Sequence, residues 1–243
     1  VIDCTYEVKG KTDLKKEIDR IRFEAENYVR EGAKHLVLTD EKVSKNRISI
    51  PMILATGSIQ SHLTKLGLRK FISLNIKSSE CIDTHYFAVL IGAGATTVNP
   101  YLAIDSIFQR YSKGLFGKLS FNDCVNRYVV AINNGLLKIM SKMGISVISS
   151  YRGGLNFQSL GLSRALVAEY FPGLESRISG IGISGIEKMM LNQHKKTFRE
   201  NIISLPIGGI YKYRKDGELH GYQAKTIHIC LLYTSPSPRD QVV

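Results

Sequence analysis

Short apolar runs alternate with amphipathic helical segments through most of this chain. A short apolar run closed by a polar residue is typical of a buried strand, and apolar residues three or four apart indicate a helix with one buried face. Repeated units of this kind, with strands apolar on both faces, predict an α/β fold with a mostly parallel sheet covered by helices. They build either a doubly wound sheet or an incomplete (β/α) barrel, and composition does not separate the two. The predicted strands are HLVLTD (35–40), FISLNI (71–76), TTVNP (96–100), ISVISSY (145–151) and RISGIG (177–182).

The helical segments carry recognisable start and stop signals. Ser120 with Asp123 resembles a capping box and begins a long helical stretch, which the Asn133-Asn134-Gly135 step is expected to divide into two helices. The apolar positions predicted to line its core face are Val125, Val129, Ile132, Leu136, Ile139 and Met143. Other helices are predicted over 14–29, 51–66, 82–90, 101–111, 160–170 and 185–199.

Polar residues stand at the ends of the predicted strands, and parallel strands place those ends on one edge of a sheet, where such folds bind ligands. Asp40, Asn75, Asn99 and Arg152 are therefore expected to lie together. In Tyr151-Arg152-Gly153-Gly154, a guanidinium can grip a carboxylate while the glycines let another backbone approach closely. A salt bridge plus a turn explains the same residues, and both interpretations stay open.

The composition of the chain changes after Pro206. The run GGIYKYRKDGELHGYQ (208–223) has Asp216-Gly217 at its centre, which is a two-residue hairpin signal. The final residues, including LLYTSPSPRD (231–240), resemble translated sequencing-adapter read-through. The predicted organisation is an α/β domain over 1–205, a β-hairpin connector over 206–229 and a non-native disordered tail over 230–243.

The net charge of +12 raises the question of an anionic partner. The basic residues are scattered, and no aromatic-interleaved pattern for single-stranded RNA accompanies them, so a solvated surface is favoured over nucleic acid. No apolar run reaches the roughly 18 residues that span a bilayer. The N-terminus lacks a signal-peptide pattern, and we expect a cytoplasmic protein without a membrane partner. Four widely spaced cysteines predict free thiols rather than a metal site.

Two short motifs have both a functional and a structural interpretation. The run 180–185, Gly-Ile-Gly-Ile-Ser-Gly, satisfies G-x-G-x-x-G before a predicted helix, but dinucleotide binding also requires a robust preceding strand, and this one is short. Asp83-Thr84-His85 offers acid–base groups without a nucleophile motif. A helix cap beside a structurally bonded histidine is therefore favoured.

Several long runs resemble the large, glutamine-dependent subunit of glutamate synthase. Together they cover nearly all of residues 1–229, and the match falls on the central domain of that subunit. The runs are GLLKIMSKMGISVISSYRGGLNFQSLGLSRALVAEYFPGLESRISGIGISG (135–185), GAKHLVLTDEKVSKNRISIPMILATGSIQSHL (32–63), LRKFISLNIKSSECIDTHYFAVLIGAGATTVNPYLA (68–103) and ISLPIGGIYKYRKDGELHGY (203–222).

In that family, an amidotransferase domain hydrolyses glutamine and ammonia passes through an internal tunnel to an FMN domain. There 2-oxoglutarate is converted to glutamate, with electrons arriving through a 3Fe–4S cluster from NADPH, by way of a flavoprotein small subunit, or from ferredoxin. The resemblance implies that this chain is the central domain, a degraded (β/α) barrel that joins the two active-site domains.

The resemblance transfers no catalytic, FMN-binding or cluster-binding residue to this chain. Cys4 follows Val-Ile-Asp and is not a terminal nucleophile. The resemblance implies a non-catalytic scaffold with no cofactor of its own, because FMN and the 3Fe–4S cluster belong to the parent subunit. The implied partners are the amidotransferase and FMN domains of the same chain, with the small flavoprotein subunit as a further candidate.

The candidate interface or tunnel-wall contacts are Asp40, His85, Asn99, Arg152, Gly153 and Gly154. One alternative is a free-standing α/β enzyme that binds a small molecule or a phosphate at Arg152–Gly154. Another is a basic nucleic-acid-binding module, whose affinity would fall steeply with salt.

Overall fold

The computed structural model describes residues 1–8, 13–198, 207–209, 213–221 and 223–233. The chain divides into two units, Val1–Phe198 and Arg199–Val243. The strands of the larger unit are β1 (Ile2–Asp3), β2 (Thr5–Glu7), β3 (His35–Thr39), β4 (Arg47–Ser49), β5 (Ser73–Lys77), β6 (Thr97–Asn99), β7 (Gln158–Leu162) and β8 (Glu175–Ile181). Its helices are α1 (Leu14–Arg30), α2 (Met52–Lys65), α3 (Thr84–Gly92), α4 (Tyr101–Ser112), α5 (Phe121–Met143), α6 (Ile148–Tyr151), α7 (Arg164–Tyr170) and α8 (Ile183–Thr197), with a 3-10 turn at Arg69–Phe71.

The main sheet has four parallel strands in the order β1-β3-β5-β6. The connections from β3 to β5 and from β5 to β6 run through α2 and α3, as parallel pairing requires. The predicted α/β class is confirmed. Two smaller sheets complete the unit: β2 pairs with β4 antiparallel, and β7 pairs with β8 parallel.

The two faces of the main sheet differ in chemistry, which corrects the prediction of strands that are apolar on both faces. Residues paired across β3, β5 and β6 share a face, and Leu38, Ile76 and Val98 belong to one of them. Leu38 and Ile76 are buried in the core with the apolar residues of α1 and α2. The opposite face carries Val37 and otherwise polar side chains, and none of these residues belongs to the hydrophobic core. The polar side chains are His35, Thr39, Ser73, Asn75, Lys77, Thr97 and Asn99.

The first helix covers the predicted range 14–29 and ends one residue later, at Arg30. Its N-cap is Asp13, whose side chain accepts a hydrogen bond from the Lys16 backbone N–H at 3.1 Å. Gly32, just past its end, has a φ of +97°, which favours glycine. The residues it buries are Leu14, Ile18, Ile21, Ala25 and Val29, the spacing of one helical face.

The long helix α5 is continuous, so the prediction that it divides at Asn133-Asn134-Gly135 is wrong. Its capping box at Ser120 and Asp123 is present as predicted. A Cβ atom on Gly135 would lie 2.5 Å from a side-chain atom of Thr84 at the start of α3. Glycine at this position therefore lets α3 pack closely against α5. The helix α5 continues through Gly135, where the sequence pattern indicated a break.

Two further element predictions are wrong. Residues 148–151 form the short helix α6 instead of a strand, because a short apolar run fits either state until its neighbours are known. Residues 158–162 form β7 instead of the start of a helix. Pairing with the strand β8 holds these residues extended. Local propensity does not predict this pairing, because the two strands are separated in sequence.

The predicted core face of α5 is only partly correct. The structure buries Ile132, as predicted, but leaves Val129 and Met143 exposed. The other buried positions are Cys124 and Met140, which the prediction left out.

The smaller unit is described in parts. A turn forms at the predicted Asp216-Gly217, where Asp216 has a φ of +62° and the Gly217 N–H donates to the Arg214 carbonyl at 3.1 Å. The described residues around it contain no strand, and residues 210–212 of the predicted hairpin lie outside them. A helix, α9 (Ala224–Tyr233), covers the first four residues of the predicted disordered tail, and the rest of that tail also lies outside the described residues.

Replacing Gly57 by alanine tests the packing of α2 on α7. A Cβ atom at position 57 would lie 2.2 Å from the ring of Phe171, which is buried and has little room to move. Alanine is normally better than glycine inside a helix by about 1 kcal/mol, but overpacking costs about 1–3 kcal/mol and should dominate. We expect Gly57→Ala to lower the free energy of unfolding measured in urea. The double variant Gly57→Ala/Phe171→Leu should recover part of the loss, and a single variant that is more stable than the parent would contradict the packing.

Candidate functional site

Asp40, the residue after β3, joins three elements at the carboxyl edge of the main sheet. Its side chain is fully buried. The carboxylate accepts hydrogen bonds from the Ser78 hydroxyl at 3.1 Å, the Ser79 backbone N–H at 2.9 Å and the Ser79 hydroxyl at 2.8 Å. A buried charge is tolerated when several donors surround it, and here they come from the segment after β5.

The Tyr101 hydroxyl also contacts this carboxylate. Burial, and then the charge of Asp40 and the hydrogen bond to it, raise the pKa of Tyr101. The tyrosine therefore stays protonated at neutral pH and can donate. Because Tyr101 begins α4, Asp40 ties the end of β3 to both β5 and α4.

A second carboxylate, Glu80, links the next part of the loop to α2 and α3. It accepts a hydrogen bond from the Met52 backbone N–H, at the first residue of α2, at 3.0 Å, and another from the Tyr86 hydroxyl. Burial raises the pKa of Glu80, although its two hydrogen bonds act in the opposite direction. The anion also lies at the positive end of the α2 dipole, which favours it.

Asp3, at the end of β1, is the third acidic group of this edge. Burial opposes its ionisation, but hydrogen bonds from Thr5 and Lys42 outweigh that effect, and the pKa of Asp3 is lowered. Arg47 on β4 donates to the same carboxylate at 3.2 Å. All three carboxylates are thus occupied by donors of the protein itself, which is the arrangement of a structural edge.

The structure places Asn99 and His85 close to this edge. Asn99 is exposed at the end of β6, and its backbone carbonyl accepts a hydrogen bond from the Ser78 backbone N–H at 3.1 Å. The predicted helix cap is confirmed, since Asp83 is the N-cap of α3. His85 is exposed in the first turn of that helix, and the structural bond expected for it stays a prediction. The role of these residues as interface or tunnel-wall contacts stays a prediction.

Arg152, Gly153 and Gly154 lie at the opposite edge of the sheet, so their predicted grouping with Asp40 is wrong. They follow the helix α6 instead of a strand. The Gly153 N–H donates to the Ile91 carbonyl at 3.0 Å, at the end of α3 and before β6 begins. Burial and the nearby charge of Arg152 lower the pKa of Arg69, which itself donates to the Gly94 carbonyl at that amino-terminal edge.

The predicted strand-end residue Asn75 instead lies within β5, in a row of hydrogen-bonded polar side chains on the face opposite Leu38 and Ile76. The Thr97 hydroxyl donates to the Asn75 side-chain carbonyl at 2.6 Å, and the Asn75 amide donates to the Ser73 hydroxyl at 3.2 Å. The row continues to His35, whose Nδ1 lies 2.5 Å from the Ser73 hydroxyl. Sequence reasoning missed this row, although the alternation of Ser73, Asn75 and Lys77 was its visible signal.

The G-x-G-x-x-G run covers the last two residues of β8, the N-cap Gly182 and the first turn of α8, and β8 is longer than the sequence predicted. Its first glycine has a packing role: a Cβ atom on Gly180 would lie 2.1 Å from the Gly161 carbonyl oxygen on β7. A glycine is therefore required here for the two strands to pair. This contact explains Gly180 without a nucleotide.

The cysteines of the larger unit are poorly suited to nucleophilic chemistry. Cys4, Cys81 and Cys124 are buried, and burial raises the pKa of Cys4 and of Cys81 to about 12. A thiol with such a pKa is almost entirely protonated at neutral pH, and the thiolate is the reactive form. Within the described ranges, no group of three or more His, Cys, Asp or Glu side chains is placed to hold a metal ion. None of the described helices is both long and apolar enough to cross a membrane.

The fold and this edge define an α/β domain, in which polar side chains hold the loops of the sheet together. A family model for the glutamate synthase central domain matches residues 1–163. The chain belongs to the glutamate synthase central domain family.

Relatives extend the match beyond the family model. The chain is 54% identical over 228 residues to the glutamate synthase [NADPH] large chain of Azospirillum brasilense, covering 93% of this chain and 15% of the relative. It is 35% identical over 217 residues to the corresponding chain of Bacillus subtilis, covering 89% and 14%. A ferredoxin-dependent glutamate synthase from Spinacia oleracea is 35% identical over 219 residues, covering 85% and 14%. The chain thus spans about a seventh of the length of these relatives.

Replacing Asp40 by alanine tests the carboxyl edge. The change leaves the donors of Ser78, Ser79 and Tyr101 without their acceptor, and buried unpaired donors cost about 1–3 kcal/mol each. We expect the free energy of unfolding in urea to fall by about 2–4 kcal/mol in total, since some donors will find water. The control is Asp105→Ala, an exposed position on α4, which should change it by less than about 0.5 kcal/mol. Equal effects at the two positions would contradict the role of Asp40.

Replacing Glu80 by glutamine tests the raised pKa. Above the ordinary carboxyl pKa of 4.5, the folded state holds this proton more tightly than the unfolded state, so Glu80 costs stability as pH rises through its folded pKa. Glutamine keeps an acceptor for Met52 and Tyr86 but does not titrate. We expect Glu80→Gln to gain stability relative to the parent as pH rises from about 4.5 towards 7, as measured by urea unfolding at several pH values. A loss of stability of Glu80→Gln relative to the parent over this pH range would mean that the α2 dipole and the hydrogen bonds outweigh the effect of burial on the pKa of Glu80.

Proposed function

We propose that this chain is the central segment of a glutamate synthase large chain and acts there as a scaffold between the glutaminase and FMN domains. In this role it makes no glutamate alone, and it holds two active sites in register so that ammonia passes between them without loss to water. The observation that carries the proposal is the family match over residues 1–163, extended by relatives to about nine-tenths of the chain.

The geometry of the described residues supports a structural role. The acidic groups at the carboxyl edge are engaged by Ser79, Arg47 and Tyr86, so they are already used to hold loops together. The protonated, buried thiols of Cys4 and Cys81 fit the same interpretation. We accordingly assign FMN and the 3Fe–4S cluster to the parent subunit and none to this segment.

We further propose that the main sheet is part of an incomplete (β/α) barrel. Its strand order β1-β3-β5-β6 runs in one direction along the chain, with no reversal. A doubly wound sheet reverses direction at a switch point, whereas a barrel adds each new strand beside the last. The polar face with Ser73, Asn75 and Thr97 would then line the barrel interior. The connector after residue 205 would lead towards the FMN domain, and the parent would work in the cytoplasm with the small flavoprotein subunit as a further partner.

The first test is an assay of the purified 243-residue chain. Supplied with 2-oxoglutarate, a reductant and either glutamine or ammonium, it should form no glutamate above a blank without protein. Glutamate formation at a rate proportional to the amount of chain would overturn the non-catalytic role.

The second test places the chain in a complete enzyme. In the Azospirillum brasilense large chain, this chain replaces the aligned segment, and in a control a Gly/Ser linker of equal length replaces it. If the segment is a scaffold, the first chimera should retain glutamine-dependent glutamate formation. The linker control should lose glutamine-dependent glutamate formation more severely than ammonium-dependent glutamate formation. The reason is that added ammonium does not need the two active sites to be in register. Equal loss of both activities in the control would contradict a scaffold that guides ammonia.

A further inference from the structure

Asn134 is followed directly by Gly135 inside α5, and the sequence contains no other Asn-Gly pair. The Asn134 side chain is exposed to solvent. Asparagine is one of the thermolabile residues, because the backbone nitrogen of the next residue can attack its side-chain carbonyl carbon. Glycine as the next residue favours this attack, since it has no side chain to hinder the nitrogen. The pair is therefore a chemically competent site for deamidation.

The reaction needs only water as a co-reactant. The Gly135 nitrogen forms a bond to Cγ of Asn134, and its proton passes to the side-chain amide nitrogen, which leaves as ammonia. The product is a five-membered succinimide ring, and no atom is oxidised or reduced. One water molecule then opens the ring at either carbonyl. Opening gives aspartate at position 134, or isoaspartate, whose main chain runs through the former side chain and is one carbon longer.

The folded helix keeps the reacting atoms apart. The helix α5 is continuous from Phe121 to Met143, so Asn134 and Gly135 lie well inside it. The N–H of a residue inside an α-helix is bonded to the carbonyl four residues earlier. Helical ψ angles also direct the following nitrogen away from the side chain, and the ring closes only when ψ leaves the helical region. Deamidation at Asn134 therefore requires this turn of α5 to open.

Packing against α3 explains why the second residue of the pair is glycine. A Cβ atom at position 135 would lie 2.5 Å from Cγ2 and 2.6 Å from Oγ1 of Thr84, the first residue of α3. A larger residue would overpack this contact. The approach of α3 to α5 thus requires the glycine that makes Asn134 reactive.

The same turn of α5 lies beside a cavity of about 230 Å³ between α3, β6 and α5. Ile132 and Leu136, on either side of the pair, line the cavity together with Phe87 of α3 and Val98 of β6. Side chains beside a cavity lack packing partners on that side, and segments with few packing contacts open locally at low cost. The contact of Gly135 with Thr84 is therefore an important restraint on this turn.

We propose that Asn134 is a gated deamidation site, which the folded helix protects and which local opening of α5 at the Gly135–Thr84 contact converts irreversibly to aspartate or isoaspartate. Isoaspartate lengthens the main chain by one carbon, so the hydrogen bonds of the helix no longer fit in register around position 134. An opening that is otherwise transient thereby becomes permanent. This proposal uses only contacts inside the larger unit and does not depend on the proposed function.

The test measures deamidation in the purified 243-residue chain, folded and unfolded in urea, at neutral pH in water enriched in oxygen-18. Peptide mass spectrometry locates the label, and an isoaspartate methyltransferase counts the isoaspartate. In urea we expect Asn134 to react faster than Asn126, which precedes arginine. In the folded chain we expect Asn134 to react more slowly than in urea by about tenfold or more. Equal rates in the two states would overturn the gate, and an Asn134 no faster than Asn126 in urea would overturn the site.

The variant Thr84→Ala tests the restraint. It removes the atoms that pack on Gly135, so we expect the folded-state rate at Asn134 to rise several-fold and the rate in urea to stay the same. The matched control is Thr64→Ala, an exposed position on α2, which should change neither rate. An unchanged folded-state rate in Thr84→Ala would contradict the role of the contact.

A variant that weakens the fold elsewhere separates local opening from global unfolding. Gly57→Ala overpacks Phe171, away from α5, and should leave the folded-state rate at Asn134 close to that of the parent. A rise as large as that in Thr84→Ala would show that global unfolding exposes the site, and would overturn the gate.

The two products give a further readout. Aspartate at this exposed position should be tolerated, so Asn134→Asp should keep the helix content of the parent by circular dichroism. The isoaspartate form, purified from aged protein, should have less helix and faster hydrogen exchange in α5. An isoaspartate form that exchanges as slowly as the parent would overturn the permanent opening of the helix.

Discussion

The parallel pairing of β3 with β5 is the contact on which the rest of the larger unit depends. It fixes the register from His35 with Ser73 to Thr39 with Lys77, and therefore places Leu38 and Ile76 on one face and polar side chains on the other. The register also brings Asp40 next to Ser78 and Ser79 beyond the strand ends. A slip of one residue would exchange the two faces and leave the Asp40 carboxylate buried without donors. The hydrophobic pattern and the carboxyl edge thus require the same register.

The carboxyl edge illustrates how polar groups can connect the loops of a parallel sheet. Asp40, Glu80 and Asp3 each connect an element to one that is distant in sequence, and each is engaged by donors of the protein itself. Ligand sites of parallel sheets commonly lie at this edge because loops there are free to vary. Here the loops are fixed instead, which suits a segment whose proposed task is to keep other domains in position.

The long helix α5 extends this centre. Its inner face joins the core through Ile132. Gly135 permits the close approach of α3 that holds the helix in place.

The amino-acid pattern was enough to predict the α/β class, the helix α1 with its buried face and the capping box of α5, because these depend on periodicity and on side chains within a few residues of each other. The family resemblance was also visible in the sequence, over long ordered runs. The folded chain was needed to show that residues 148–151 are helical, that α5 continues through Gly135, and that Arg152 lies at the edge opposite Asp40. Each of these outcomes depends on contacts between residues far apart in the chain, such as Gly135 with Thr84 or Gly153 with Ile91, and local patterns do not encode such contacts.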